Sequence, residues 1–271
     1  MSSIFSVHEL SIVLLVRNQN PALLNLDFLK CSGIVPQDWE LASSPILTQQ
    51  GSQIIFQNGL RLVADTNRTI FLESTIGKSF SNITVAQVAK HYVQRLPYAQ
   101  YDALGINPEG FATFPNNPEL AQNYISKSLL SPGAWLEFGN TPPRTDLNIV
   151  YTLEQGTLSL KVAQRSIQKE NEEAITPIVT YTGNFEYIFQ QVPPTDKLDV
   201  LCNRLDQWQS NIETFTTLIE QRFLNAMNSP LLSQSIDPLT GQPIKNATAE
   251  LTHIANMNSQ VPFVTPQYAL G

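Results

Sequence analysis

The stretch SQIIFQNGLRLVADTNRTIFLES, residues 52–74, constrains the fold more than any other part of the chain. It reads as strand, turn, strand, turn, strand, with Asn58-Gly59 at the first corner. An Asn-Gly pair predicts a two-residue hairpin loop, because both residues tolerate positive φ. With such a loop, Ile54 pairs with Val63 and both faces of the hairpin carry apolar side chains. We therefore expect this sheet to be covered on both faces.

A second hairpin is predicted in TDLNIVYTLEQGTLSLKVAQRSI, residues 145–167. With the corner at Gln155-Gly156, Leu153 pairs with Leu158, and apolar and polar side chains separate onto opposite faces. This alternation is typical of an antiparallel pair with one face buried. Further strands are predicted at four places, in residues 9–18, 101–114 with a turn at Asn107-Pro108, 134–140, and 177–192 as one strand or two with a corner near Gly183.

Three helices are predicted, at residues 84–96, 117–130 and 195–228, and in the first of them Val85, Val88, Tyr92 and Leu96 form one apolar stripe. The last would be a long helix, and its apolar residues are spaced alternately three and four apart, as in a heptad seam. These residues are Leu198, Leu201, Leu205, Trp208, Ile212, Phe215 and Ile219. The seam fits two arrangements: packing across the chain's own sheet, or pairing with the same helix of a second subunit.

The order of elements divides the chain into an α+β unit at residues 1–97, a second α+β unit at 98–228, and a C-terminal arm at 229–271. Both units run from a strand through a hairpin to a helix, which suggests an internal duplication. The arm carries prolines and few charges, and it ends in an extended segment with Val261, Phe263, Val264 and Tyr268. A disordered tail is normally poor in such residues, so the arm either folds back or inserts into a neighbouring subunit.

Composition excludes several classes of protein. The net charge is −7, from 16 basic and 23 acidic residues, and no basic stripe for nucleic-acid phosphates is present. No window resembles a membrane span or a secretory signal, so we expect a cytoplasmic protein. Only 14% of residues are charged, which suits contacts with other proteins. The two cysteines, Cys31 and Cys202, lie far apart and favour unpaired thiols.

No local pattern for catalysis is present. The three histidines, His8, His91 and His253, have no metal-ligand spacing, and the chain has no GxSxG sequence or glycine-rich phosphate loop. The carboxylates of Glu137, Asp146 and Glu186 lie in or beside predicted strands, where outward polar positions are the ordinary case. We therefore predict no catalytic residue, no metal and no cofactor.

The sequence thus predicts an α+β protein with a mainly antiparallel sheet, two or three packed helices and a C-terminal arm. The favoured function is a non-enzymatic structural or interaction protein, assembling with itself or with another protein subunit through the long helix and the arm. The predicted interaction residues are Leu205, Trp208, Ile212, Phe215, Ile219, Val261, Phe263, Val264 and Tyr268. The alternative is a small-ligand or enzymatic domain with a pocket between sheet and helix, involving His91, Tyr92 or Tyr187.

Overall fold

The computed structural model describes residues 4–115, 118–131, 133–140, 143–168 and 175–225. Within these ranges nine strands form one antiparallel sheet, and five α-helices accompany it. The predicted α+β class is confirmed. The strands are β1 (Ile4–Arg17), β2 (Ile46–Leu47), β3 (Gly51–Ile55), β4 (Leu60–Asp65), β5 (Arg68–Ser74), β6 (Gln100–Thr113), β7 (Asp146–Leu153), β8 (Gly156–Gln168) and β9 (Ile175–Ile188).

The helices are α1 (Leu26–Cys31), α2 (Val85–Arg95), α3 (Pro118–Tyr124), α4 (Lys197–Asp206) and α5 (Trp208–Leu218). Two π-helical turns, Ile125–Leu129 and Ile219–Leu224, extend α3 and α5. Three short 3-10 turns lie at Pro21–Leu23, Phe80–Asn82 and Ala134–Glu137.

The sheet order is β2-β3-β4-β5-β1-β6-β9-β8-β7, with the long antiparallel pair of β1 and β6 in the middle. A three-stranded meander lies on each side of this pair, formed by β3, β4 and β5 beside β1 and by β7, β8 and β9 beside β6. Each meander is followed along the chain by a helix or helix pair. The succession agrees with the predicted duplication, which stays a prediction. The two predicted units share one continuous sheet.

The core lies between one face of the sheet and the helices. Helix α2 buries Val85, Val88 and Tyr92, the stripe that the sequence predicts for it. The Tyr92 ring lies 5.3 Å from the ring of Phe71 on β5, in an edge-on arrangement. Side chains spaced two apart on a strand share a face, so Phe71 fixes the helix-covered face of β5.

The predicted helix at residues 195–228 is divided at Gln207, a single turn residue between α4 and α5. Helix α5 packs across the sheet through Phe215, whose ring meets the backbone at Gly183 on β9 and lies 5.9 Å from the ring of Phe5 on β1. Within the described residues the seam therefore packs on the chain's own sheet. The arm at 229–271 lies outside the described residues.

A buried carboxylate joins the sheet to α2. Glu73 on β5 is 1% exposed, and it accepts hydrogen bonds from the backbone N–H groups of Thr84 and Val85, each at 2.7 Å. The Lys78 ammonium donates to the same carboxylate at 2.6 Å. A carboxylate at a helix N-terminus satisfies donors that have no partner within the helix. Glu73 thereby fixes the start of α2 against β5.

The predicted register of the first hairpin was wrong by one residue. Ile54 pairs with Leu62 rather than with Val63. The loop has three residues, with Gly59 at φ +88° and the Asn58 side chain accepting from the backbone N–H of Leu60. Because side chains alternate, a shift of one residue exchanges faces. Both faces stay apolar in either register, because adjacent residues such as Leu62 and Val63 face opposite sides.

The predicted register of the second hairpin was wrong by two residues. Leu153 pairs with Gly156, and Tyr151 pairs with Leu158, so the loop consists of Glu154 and Gln155. A shift of two residues keeps each side chain on its face. The predicted apolar and polar faces are therefore confirmed, although the partners differ.

Two other local predictions were wrong. Strand β6 continues through Pro108 without a turn, because its pairing with β9 is interrupted there and no N–H is needed. Residues 134–137 form a 3-10 turn rather than a strand. Of the two alternatives for residues 177–192, the single strand is confirmed, since β9 passes through Gly183 without a corner.

Candidate functional site

Within the described residues, one face of the sheet carries no helix. Each of the five α-helices in the described ranges can be placed on the face that carries Phe71, through contacts such as Tyr92 with Phe71 and Phe215 with Gly183. The backbone carbonyl of Gln122 on α3 likewise accepts a hydrogen bond from the side chain of Gln164 on β8. We call the opposite face the open face.

Five neighbouring apolar side chains lie on the open face in the N-terminal half of the sheet. In one row across the strands, Val63 on β4 pairs with Ile70 on β5, which pairs with Val13 on β1. Leu72 and Leu15 extend the row along β5 and β1. Four of the five are half-buried by their neighbours, and Leu15 is 40% exposed. We call Val13, Leu15, Val63, Ile70 and Leu72 the apolar patch.

Two rows become polar where they continue across β6, β9 and β8, whereas the row of Leu15 continues through Ala103 to Ile188, which is 60% exposed. Val13 pairs with Gly105, Gly105 with Glu186, and Glu186 with Thr157. The next row leads from Ser11 to Asn107. A sheet of this topology therefore does not require apolar residues on its open face.

A β-bulge at one end of the patch brings an imidazole and two carboxylates together. The register between β1 and β6 shifts at His8, so that His8 and Glu9 lie opposite Glu109. His8 Nε2 lies 3.7 Å from Glu109 Oε1, and the imidazole lies 5.3 Å from the ring of Phe111. Among the described residues, His8 Nδ1 has no hydrogen-bond partner although it is buried.

The bulge shifts two proton equilibria in opposite directions. Burial lowers the pKa of His8, and the neighbouring Glu109 partly offsets this. Burial raises the pKa of Glu9, and repulsion from Glu109 adds to the rise. Near neutral pH the imidazole of His8 is therefore uncharged. The described part of the chain holds no group of three or more His, Cys, Asp or Glu residues placed to bind a metal ion.

A cavity of about 530 Å³ lies at the end of the sheet where β1 stops and β6 starts. Three tyrosines, Tyr92, Tyr98 and Tyr101, line it together with Arg17 and Arg95. The lining contains no aspartate or glutamate. We call this the sheet-end cavity. Two smaller cavities, of about 420 and 310 Å³, share His91 and Gln87 on the outer side of α2.

Most of the interaction residues predicted on the long helix lie in the core. Leu205, Ile212, Phe215 and Ile219 are between 0% and 2% exposed, so they are not accessible to a second subunit in this structure. Trp208 is half-buried, and its ring lies 5.9 Å from that of Phe80. The predicted arm residues Val261, Phe263, Val264 and Tyr268 lie outside the described residues.

The residues of the alternative pocket prediction lie in different places. Tyr92 lines the sheet-end cavity, whereas His91 lines the two smaller cavities. The Tyr187 hydroxyl is buried against the Asn211 side chain, at 3.1 Å from Asn211 Oδ1. The structure therefore does not bring the three residues into one pocket.

Sequence reasoning missed the apolar patch and the bulge. The signal for the patch was present, because apolar residues on both faces of the first hairpin were noted but assigned to burial. Nothing in the sequence marks His8 as a bulge residue, since a bulge depends on the pairing with a distant strand.

Comparison of the chain with protein-family models finds no match, and comparison with curated proteins finds none either. Within the described residues, no helix is both long enough and apolar enough to cross a membrane.

Proposed function

We propose that this protein is a non-enzymatic interaction protein that assembles with other copies of itself, with the apolar patch as the contact surface. The observation that carries the proposal is the row of Val63, Ile70 and Val13, which is apolar across β4, β5 and β1 and becomes polar at Glu186 and Thr157 on β9 and β8. A contiguous group of apolar side chains that reaches the surface can serve as a protein-binding site.

The size of the patch favours a short segment as its occupant. Five residues of one face, on three neighbouring strands, cover roughly 160 Å² with the usual strand spacings. Two such patches facing each other would bury only about 320 Å², whereas stable dimers bury about 1,200 Å² or more. A segment the width of one strand fits the patch better than a second sheet does.

The predicted C-terminal arm supplies a segment of suitable chemistry. Residues 254–271 contain no aspartate, glutamate, lysine or arginine, and they carry Val261, Phe263, Val264 and Tyr268. The three apolar residues from 261 to 264 would span about 10 Å in an extended chain. In our proposal the arm of one copy binds the patch of another, and the buried seam of α4 and α5 serves the protein's own core.

Light scattering of the full chain tests the proposal. A monomer has a mass of 30.2 kDa, and we expect a defined multiple of this mass. Ile70→Lys places a charge in the patch and should return the protein to the monomer. The matched control is Thr182→Lys, on the polar half of the open face, which should leave the mass unchanged. Phe263→Asp should act like Ile70→Lys.

A monomeric mass for the full chain at every concentration would refute self-assembly. Equal effects of Ile70→Lys and Thr182→Lys would show that the patch has no special role. Loss of assembly with Ile70→Lys but not with Phe263→Asp would keep the patch and reject the arm.

A further inference from the structure

The sheet-end cavity has the charge and shape of a ligand site, independently of the apolar patch. Its lining comes from the end of β1, the end of α2 and the loop that leads into β6. Cavities between 300 and 1,000 Å³ are typical of small-molecule sites. The volume of about 530 Å³ lies within that range.

The lining is positively charged in a protein that is negative as a whole. Arg17 and Arg95 are its charged residues, while the chain carries a net charge of −7. Arg17 is neutralised by Asp102, which accepts hydrogen bonds from Arg17 Nε at 2.5 Å and from Nη2 at 2.8 Å. Arg95 has no ion-pair partner in the part of the chain that the structure describes. Its guanidinium therefore remains available to an anion.

Arg95 also lies in the last turn of α2, where a cation balances the negative end of the helix dipole. That dipole corresponds to about half an elementary charge. One guanidinium therefore exceeds it, and the site keeps a net positive charge. An arginine can hold a carboxylate or a phosphate through two parallel hydrogen bonds.

The aromatic part of the lining points to a ring in the ligand. Tyr98 is 97% exposed beside the cavity, so its ring face has room for a stacking partner. Tyr101 is 2% exposed, and its hydroxyl donates to the backbone carbonyl of Leu96. Tyr92 is buried as well, at 3% exposure. Stacked or edge-on aromatic pairs stabilise a complex beyond the area that they bury.

The backbone at the rim has an uncommon conformation. Asn18 has φ +51°, and no other non-glycine residue in the described ranges has positive φ. Such conformations occur often at binding sites, where they place side chains that a regular strand would direct elsewhere. Asn18 and Gln100 add amide groups to the lining, which can donate to an anion or accept from a ring substituent.

We propose that the sheet-end cavity binds a small organic anion that carries an aromatic ring. Arg95 binds the acidic group, Tyr98 stacks on the ring, and the amides of Asn18 and Gln100 orient it. Arg17 remains paired with Asp102 and shapes the wall. This site shares no residue with the apolar patch, so the ligand proposal and the assembly proposal are tested independently.

Isothermal titration calorimetry with 2-naphthoate tests the proposal, with neutral 2-naphthamide as the matched ligand. We expect naphthoate to bind at least tenfold more tightly than naphthamide, since a charge-assisted hydrogen bond is much stronger than a neutral one. Arg95→Met should weaken naphthoate binding at least tenfold without changing naphthamide binding. Tyr98→Ala should weaken both ligands several-fold.

The matched control is Arg61→Met, which removes an exposed arginine from the open face. It should leave both affinities unchanged, and circular dichroism should show each variant folded. Equal affinities for naphthoate and naphthamide, equal losses from Arg95→Met and Arg61→Met, or no binding at millimolar naphthoate would each overturn the proposal.

Discussion

Replacing Glu73 by glutamine tests how the sheet is joined to α2. The carboxylate has donors on two sides, the N–H groups of Thr84 and Val85 at 2.7 Å and the Lys78 ammonium at 2.6 Å. Glutamine keeps the shape but has one acceptor oxygen, so its NH₂ group must face either the helix or the ammonium. At least one buried donor then loses its partner.

The expected loss follows from these contacts. Breaking a buried ion pair costs about 3 to 5 kcal/mol, and a buried donor without a partner costs about 1 to 3 kcal/mol. Because Lys78 reaches water at one side, with 24% of its side chain exposed, the lower part of the first range applies. We therefore expect Glu73→Gln to reduce the free energy of unfolding by about 3 kcal/mol and Tm by about 6 to 12 °C.

Urea unfolding followed by circular dichroism measures this loss. The control is Glu213→Gln, the same chemical change at an exposed position of α5, which should alter stability by no more than about 0.5 kcal/mol. An effect of Glu73→Gln no larger than that of the control would refute the role that we assign to Glu73.

Three further substitutions test the packing, the first turn and the bulge. Gly183→Ala would place Cβ 2.9 Å from the Phe215 ring, so the free energy of unfolding should fall by about 1 to 3 kcal/mol. Combining Gly183→Ala with Phe215→Leu should recover part of this loss. Gly59→Ala forces an L-residue to φ +88° and should cost about 1 to 2 kcal/mol in urea unfolding; no loss would contradict the turn geometry. Because the folded-state pKa of Glu9 is raised above 4.5, the wild type loses stability as pH rises through that pKa. Glu9→Gln should therefore raise Tm at pH 7 and have no such effect below about pH 4; a lower Tm at pH 7 would contradict the assignment.

Local patterns predicted the elements but not their partners. The stripe of Val85, Val88 and Tyr92 identified α2, because a helix covers a sheet with residues three and four apart. The predicted register of each hairpin was wrong because the loop residues were predicted incorrectly. Asn58-Gly59 favours a two-residue loop, yet Gly59 alone of the pair has positive φ, and the resulting three-residue loop moves the register by one. Hairpin loops of two and three residues differ too little in sequence to be separated by local rules.

Long-range contacts account for the features that the sequence did not reveal. Glu73 is one of two charged residues in β5, and its burial depends on where α2 begins. The sheet-end cavity likewise combines Arg17 from β1 with Arg95 from the last turn of α2 and Tyr98 from the loop that follows. No spacing in the sequence connects these residues, since their proximity arises from the antiparallel pairing of β1 with β6.

Comparison of the two halves of the sheet shows which apolar side chains the fold requires. On the helix-covered face both halves are apolar, with Leu60 and Leu62 in one and Leu158 and Leu160 in the other. On the open face the row of Val63, Ile70 and Val13 is apolar, and its continuation at Glu186 and Thr157 is polar, although the strand succession is the same. Burial beneath helices explains the first similarity. For the open face we propose that the arm of another copy covers the apolar patch, because this would remove those side chains from water.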